Sequence, residues 1–370
     1  MQLHQQWIWQ TPNWPKFTWD TQVLSETLAQ ARLAQGKILG MAQLLDEGLT
    51  LDALSTILIE DSLTTSKIEG EHLNLDLVRS SVAHHLGLPN AGLPQSSRSI
   101  DGLVELLLDA THSYQSDLTF DQLCRWQASL FPTGQSGLRI IRTGALRGHE
   151  PMRVISGRIG KEIIHFEAPA HTILEHELNQ FITWFNSKPS IDGLIRAGIA
   201  HLWFITIHPF EDGNGRIARA ITDMALSQDE QQPMRFFSLS AQILKTREEY
   251  YTCLEQTQRG GTDITVWLLW FLTQVQQAAQ QAETTINHTL SKAKFWLTHQ
   301  NTQLNERQRK VLNRLLDVQT VFEGNMNTRK YMSLTKTSRA TAYRELTDLV
   351  EKGCLKPTEG GGRSSGYELV

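Results

Sequence analysis

Apolar residues recur at intervals of three and four along most of the chain, and this spacing predicts a mainly helical fold. Leu24, Leu28, Ala31 and Gln35 share one helical face, and Leu51, Leu54 and Leu58 share another, within a helical stretch from residue 24 to about 82. Gly87, Pro89, Gly92 and Pro94 interrupt the pattern, and a second helical stretch runs from about 99 to 132. Between 134 and 169 the character changes. Glycines at 134, 137, 144, 148, 157 and 160 are too many for one helix, and the apolar runs 152–155 and 162–166 flank a turn-like 156–161, which predicts a β-hairpin. Helices resume near His171, break at Pro189 and Pro209, and continue to about residue 297. Ahead of all this, Trp7, Trp9, Trp14 and Trp19 interleave with Pro12, Pro15 and Phe17. That density resists a regular helix and predicts an extended arm packed on its own protein. A base-stacking surface would call for clustered Lys or Arg, which do not accompany the rings.

Composition narrows the class without deciding it. The 370 residues suit two or three domains, and the breaks divide the chain at 1–98, 99–285 and 286–370. Lys and Arg number 35 against 39 Asp and Glu, a net charge of -4, which argues against a general nucleic-acid coat. Cys124, Cys253 and Cys354 form no CxxC pair, so a reducing, cytoplasmic compartment is expected rather than a disulfide framework. The chain opens without a basic segment followed by an apolar run, and no apolar stretch approaches the ~20 residues of a membrane helix.

The chemistry concentrates in 208–219, His-Pro-Phe-Glu-Asp-Gly-Asn-Gly-Arg-Ile-Ala-Arg. Residues 194–207 are apolar on nearly every face and predict a buried helix that Pro209 ends. Ile217, Ile221, Met224 and Ala225 predict another helix beginning near Gly215. Gly213, Asn214 and Gly215 therefore open a helix, where free N–H groups make an anion pocket. Arg216 and Arg219 share its first turns and suit a polyphosphate. Asp212 is a natural Mg²⁺ ligand, and His208 is the side chain that can exchange a proton near neutrality. A base, a metal carboxylate, a phosphate cradle and two cationic clamps describe a phosphoryl- or nucleotidyl-transfer site.

These residues match the Fic family motif, HxFx(D/E)GNGRxxR, at every defined position, and the chain resembles that family over about 99–272. The resemblance implies a Fic-type helical core with a β-hairpin flap at 152–166, placed ahead of the catalytic loop as in the family. It implies transfer of AMP from ATP to a Ser, Thr or Tyr hydroxyl of a protein. His208 would deprotonate that hydroxyl and Phe210 would anchor the loop. Asp212 would hold Mg²⁺, Gly213, Asn214 and Gly215 would cradle phosphates, and Arg216 and Arg219 would meet the β- and γ-phosphates. The flap would clamp the target by strand addition. Tyr251 and Gln258 occupy positions where relatives contact base and ribose, although Tyr250-Tyr251 reads equally as helix packing.

Residues 65–70, Thr-Ser-Lys-Ile-Glu-Gly, match the family's inhibitory motif (S/T)xxxE(G/N). A Glu69 carboxylate on Arg219 would neutralise the γ-phosphate clamp and repel ATP. In some relatives this glutamate also supports removal of AMP, so a bifunctional enzyme stays open here.

From 305 onward, 12 basic residues face 8 acidic ones, a balance of +4. Ala342, Leu346, Leu349 and Val350 mark a helical stripe ended by Gly353, and a glycine-tipped hairpin at 354–370 follows. Two helices and a hairpin resemble a winged helix-turn-helix, a small α+β module whose Thr337, Ser338, Arg339, Thr341 and Arg344 would face outward. DNA binding through 305–370, as in a regulator with a nucleotide-sensing Fic core, stands beside target docking or homodimer contacts.

Overall fold

The computed structural model describes residues 7–89, 92–158, 161–316, 325–358 and 366–370. Two compact units divide the chain, Met1–Glu283 and Thr284–Val370.

In the first unit the helices are α1 (Thr21–Ala42), α2 (Glu47–Ile68), α3 (Leu75–His85), α4 (Arg98–His112) and α5 (Phe120–Leu130). Two short strands, β1 (Gln135–Ser136) and β2 (Arg139–Ile140), precede the hairpin β3 (Arg153–Arg158) and β4 (Lys161–Glu167). Then come α6 (His171–Ser187), α7 (Gly193–Ile207), α8 (Asn214–Glu230), α9 (Leu239–Lys245), α10 (Arg247–Gln258) and the start of α11 (Thr265–Thr298), whose residues from 284 onward belong to the second unit. The mainly helical expectation holds, and side-chain caps explain many of the starts. Asp20, Asp46, Asn74, Ser97, Thr119 and Asp192 each accept hydrogen bonds from the first-turn N–H groups of the helix they precede.

The core is built around α7, which is buried on every face and packs lengthwise against α8 and α6. Helix α8 in turn touches α2, α4 and α5, and α2 lies along α9 and α3. Phe181, Phe185, Phe204, Phe210, Trp267 and Phe271 are fully buried, and the Trp267 indole N–H donates to the Gly198 carbonyl at 2.8 Å. On the faces read from the sequence, Leu24, Ala31, Gln35, Leu54 and Leu58 are buried, whereas Leu28 and Leu51 are only partly covered.

The tryptophan arm packs on its own protein, but it is curled rather than extended. Ile8–Gln10 form a 3₁₀ turn in which the Gln10 side chain accepts from the Trp7 N–H, and Trp14-Pro15 is a cis peptide. Such local hydrogen bonds, absent from an extended arm, close the chain on itself. Trp7 meets Phe166 edge-on at 5.4 Å between ring centroids, and the Trp9 and Trp14 indoles donate to the Glu167 carbonyl and the Glu177 carboxylate, each at 2.7 Å.

The hairpin forms where expected. Its strands are antiparallel with an irregularity between Val154 and Ile155; Ile159 and Gly160 of the anticipated turn lie outside the described residues.

In the second unit, α12 (Glu306–Leu315), α13 (Thr328–Thr335) and α14 (Arg339–Glu351) pack with β5 (Leu355–Pro357) and β6 (Tyr367–Leu369), an antiparallel pair. Val311, Leu312, Tyr331, Ala342, Leu346 and Leu349 form its core, while Val350 is only partly buried. The anticipated glycine tip, 359–363, lies outside the described residues. Arg307 pairs with Glu345, Lys352 with Asp348 and Lys356 with Glu368, so part of the excess positive charge is neutralised internally.

Candidate active site

Four segments of distant sequence meet at one cavity of about 700 Å³. The α7–α8 loop supplies His208, Glu211, Asp212 and Gly213, and the first turn of α8 Asn214 and Gly215; the end of α2 supplies Glu69; α10 supplies Tyr251, Glu255 and Gln258. The hairpin adds Val154, Ile155, Ser156 and His165 on another side.

The loop owes its shape to a few residues. Pro209 cannot continue α7, and His208 ends the helix in the left-handed region at φ 52°. Asn214 fastens the turn by accepting from the Phe210 N–H at 2.9 Å and donating to the Phe210 carbonyl at 2.8 Å. Its buried side chain is therefore committed to the loop, and only its backbone remains for the phosphate cradle anticipated from the sequence. Gly213 has φ 88°, and a Cβ there would come within 3.0 Å of the Phe131 ring. Phe210 is fully buried beneath the loop, as its place in the motif suggests.

Arg147, which no sequence pattern flagged, supports this loop from behind. Its Nε donates to the His208 carbonyl at 2.8 Å, its Nη2 to the Pro169 carbonyl, and its backbone N–H to the Pro209 carbonyl at 3.0 Å. Burial lowers its guanidinium to about 10, which leaves it protonated at neutral pH.

His208 Nδ1 lies 3.1 Å from the Ile205 carbonyl. A carbonyl only accepts, so Nδ1 carries the proton and Nε2 keeps its lone pair. Burial pushes the imidazole below the ordinary histidine value, with the Ile205 hydrogen bond and the charges of Glu69 and Asp212 opposing. The ring is thus a neutral base at pH 7.

Both arginines are engaged by acids that follow α2. Arg219 Nη2 donates to Glu69 Oε1 at 2.8 Å, while its Nε and Nη2 also donate to the Thr65 hydroxyl and carbonyl at 2.7 and 2.9 Å. Burial is the largest single influence and lowers Arg219, but the Glu69 charge and hydrogen bond, together with Tyr250 and Tyr251, outweigh it and hold the guanidinium above its usual value. Arg216 Nη1 donates to Glu71 Oε2 at 3.0 Å. Neither arginine lines the cavity. Glu69 itself lies against Gly215: a Cβ on that glycine would stand 2.0 Å from Glu69 Oε1. A carboxylate therefore occupies the space over the amino end of α8, where the helix dipole and free N–H groups favour an anion.

Asp212 sits at the cavity rim. Its Oδ1 accepts from the Gly213 N–H at 2.6 Å, and its Oδ2 accepts from the Ser136 hydroxyl on β1. Among the described residues no three His, Cys, Asp or Glu side chains gather as a metal site. One oriented carboxylate still fits Mg²⁺ in the manner of nucleotide sites, where phosphate oxygens and water complete the shell.

Both of the paired tyrosines line the cavity. Tyr250 is buried with its hydroxyl 2.9 Å from His201 Nε2, whereas Tyr251 is 38% exposed and donates to the Ile68 carbonyl at 3.3 Å. Gln258 also lines the cavity, and its amide donates to the Thr206 hydroxyl at 3.2 Å.

Residues 117–226 match the model of the Fic/DOC family, and the full motif stands in this loop. The chain contains a Fic domain. Ahead of it, 7–88 match a domain of unknown function, DUF4172. Protein adenylyltransferase fic-1 of Caenorhabditis elegans is 33% identical over 86 residues, 23% of this chain and 16% of that protein. Protein adenylyltransferase Fic of Nematostella vectensis is 36% identical over 96 residues, 25% of this chain and 21% of that protein. The match to these curated relatives thus spans a quarter or less of their length. A Fic family protein from Desulfovibrio desulfuricans G20 superposes over 96% of this chain and 98% of its own, with TM-score 0.55 at 18% identity. A Fic domain signaling protein from Bacteroides thetaiotaomicron covers 72% of this chain and 97% of its own, with TM-score 0.52 at 17% identity. The Fic fold of the helical core follows from these.

The Fic motif itself was legible because it is contiguous. Glu71, Arg147, Thr65 as an arginine acceptor, and Ser136 were not, since each acts on a residue far along the chain.

Proposed function

We propose that this protein transfers AMP from ATP to a hydroxyl of another protein, and that Glu69 restrains the reaction. The observation that carries this reading is the Glu69 carboxylate, lodged between Gly215 and Arg219 at the amino end of α8. A site built for an anion holds one supplied by its own chain. The names of the related proteins, adenylyltransferases, support the same chemistry.

In the transfer, His208 Nε2 accepts the proton of a Ser, Thr or Tyr hydroxyl. The oxygen attacks the α-phosphorus of ATP, the bond from that phosphorus to the bridging oxygen breaks, and pyrophosphate leaves. Amides of 213–215 and the guanidinium groups of Arg216 and Arg219 stabilise the developing charge once Glu69 and Glu71 withdraw. Asp212 would hold Mg²⁺, which when bound neutralises phosphate charge. Tyr251 and Gln258 would take the base and ribose, and a target segment would pair along the hairpin at 152–166.

For the second unit, exposed Arg339 and Arg344 on α14 support a winged-helix role in DNA contact, which a salt-dependent gel shift with the full chain would test. The transfer reading is tested with ATP labelled at the α-phosphate. Glu69→Gly should label proteins of a cell lysate, and Glu69→Gly/His208→Ala should not; equal labelling by both would refute His208 as the base.

A further inference from the structure

A second acid–base relay stands in the same cavity, and the transfer chemistry above makes no use of it. Ser156 on β3 has its hydroxyl 2.6 Å from His165 Nε2 on β4. His165 Nδ1 lies 2.7 Å from Glu255 Oε2 on α10. A carboxylate bound at Nδ1 fixes the proton on that nitrogen, so Nε2 is left to accept from the serine. The order of groups, hydroxyl to imidazole to carboxylate, is that of an activated serine nucleophile.

Arg259, one helical turn beyond Glu255, donates to Glu255 Oε1 at 2.8 Å and to the Ile164 carbonyl at 2.8 Å. The acid is thereby aimed and strand β4 is fastened to α10. Ser156, His165 and Glu255 all line the 700 Å³ cavity that also holds His208 and the 213–215 turn. Ser156 thus opens onto this cavity with an imidazole behind its hydroxyl.

We propose that Ser156 is an internal acceptor of AMP. The inference rests on the adenylyl-transfer reading and adds the residue and the base. His165 Nε2 takes the Ser156 proton as Oγ bonds to the α-phosphorus of ATP; the phosphorus–oxygen bond to the departing pyrophosphate breaks; and Glu255 stabilises the imidazolium. The product is a seryl-AMP ester on the hairpin. It places a bulky anion on the strand that would otherwise pair with a target, so self-modification would compete with modification of other proteins.

The test uses the full chain on the Glu69→Gly background, incubated with ATP and Mg²⁺ and then analysed by intact mass and peptide mapping, with lysate labelling run in parallel. The expected result is AMP on the peptide containing Ser156. Ser156→Ala should lose it, and His165→Asn should slow it on the order of 10²-fold, the usual contribution of a positioned base. A merely structural His165 would leave the rate of Ser156 labelling within a few-fold. Lysate labelling with Ser156 unmodified, or self-labelling at another residue only, overturns this proposal and leaves the transfer reading standing. No label on self or lysate overturns both.

Discussion

Glu69 Oε1 lies 2.8 Å from Arg219 Nη2 and against Gly215, so one carboxylate covers both a buried guanidinium and the amino end of α8. The contact is also a structural one, because Arg219 is 2% exposed. Glu69→Gly should therefore lower stability by about 2 kcal/mol, as an unpaired buried charge requires, with Thr65 retaining part of the interaction. ATP should then raise the melting temperature of Glu69→Gly clearly and that of the wild type little, since only the variant binds in the productive site. Differential scanning fluorimetry with and without ATP checks both signs; equal ATP shifts for the two proteins would contradict the blockade.

Glu71 pairs with Arg216 as Glu69 does with Arg219, the Arg216 side chain being 9% exposed and that of Glu71 48% exposed. The exposed partner makes this the weaker pair. Glu71→Gln should raise ATP affinity two- to fivefold by calorimetry, and combined with Glu69→Gly the effects should be non-additive because the arginines share one phosphate site.

Arg147 does not itself line the cavity but holds the His208 and Pro209 carbonyls. Arg147→Met should lower kcat at least tenfold with ATP affinity changed little, and should cost about 1–3 kcal/mol in stability from buried carbonyls left unpaired. Equal losses in kcat and ATP binding would mean the whole site had collapsed.

The pH profile follows from the direction of the His208 shift. Burial favours the neutral ring, so the base is competent above its lowered pKa and is lost as the pH falls through it. Transfer by Glu69→Gly should be level from about pH 7 to 8 and decline only at pH values below the ordinary histidine range of about 6.5. The Glu69 charge raises the His208 pKa, so Glu69→Gln and Glu69→Gly should both move the acid limb lower still. An acid limb centred above pH 7 would be inconsistent with a buried neutral His208.

Much of this was legible from the chain because its signals are local. The run from His208 to Arg219 carries its own helix stop, turn and helix start, and the apolar all-round pattern of 194–207 marks the central helix by itself. The hairpin was readable from two apolar runs and its glycines. What stayed hidden are pairings across long separations: Glu71 with Arg216 at 145 residues, Arg147 with His208 at 61, and Ser136 with Asp212 at 76. No periodicity encodes such contacts. The curl of the tryptophan arm was missed for the opposite reason, since single hydrogen bonds such as Gln10 to Trp7 decide it against a composition that reads as extended. The Asn214 side chain closes the loop on Phe210 and leaves only its backbone for the anticipated phosphate cradle, a division visible only once Phe210 is placed beside it.

The central claim is that an acid of the chain itself stands in for the phosphate of ATP. Its most direct measurement is the rate of α-phosphate label transfer to lysate proteins by wild type and Glu69→Gly at equal concentration. The account predicts at least a tenfold faster transfer by Glu69→Gly. Equal rates, with both proteins active and folded, would contradict it.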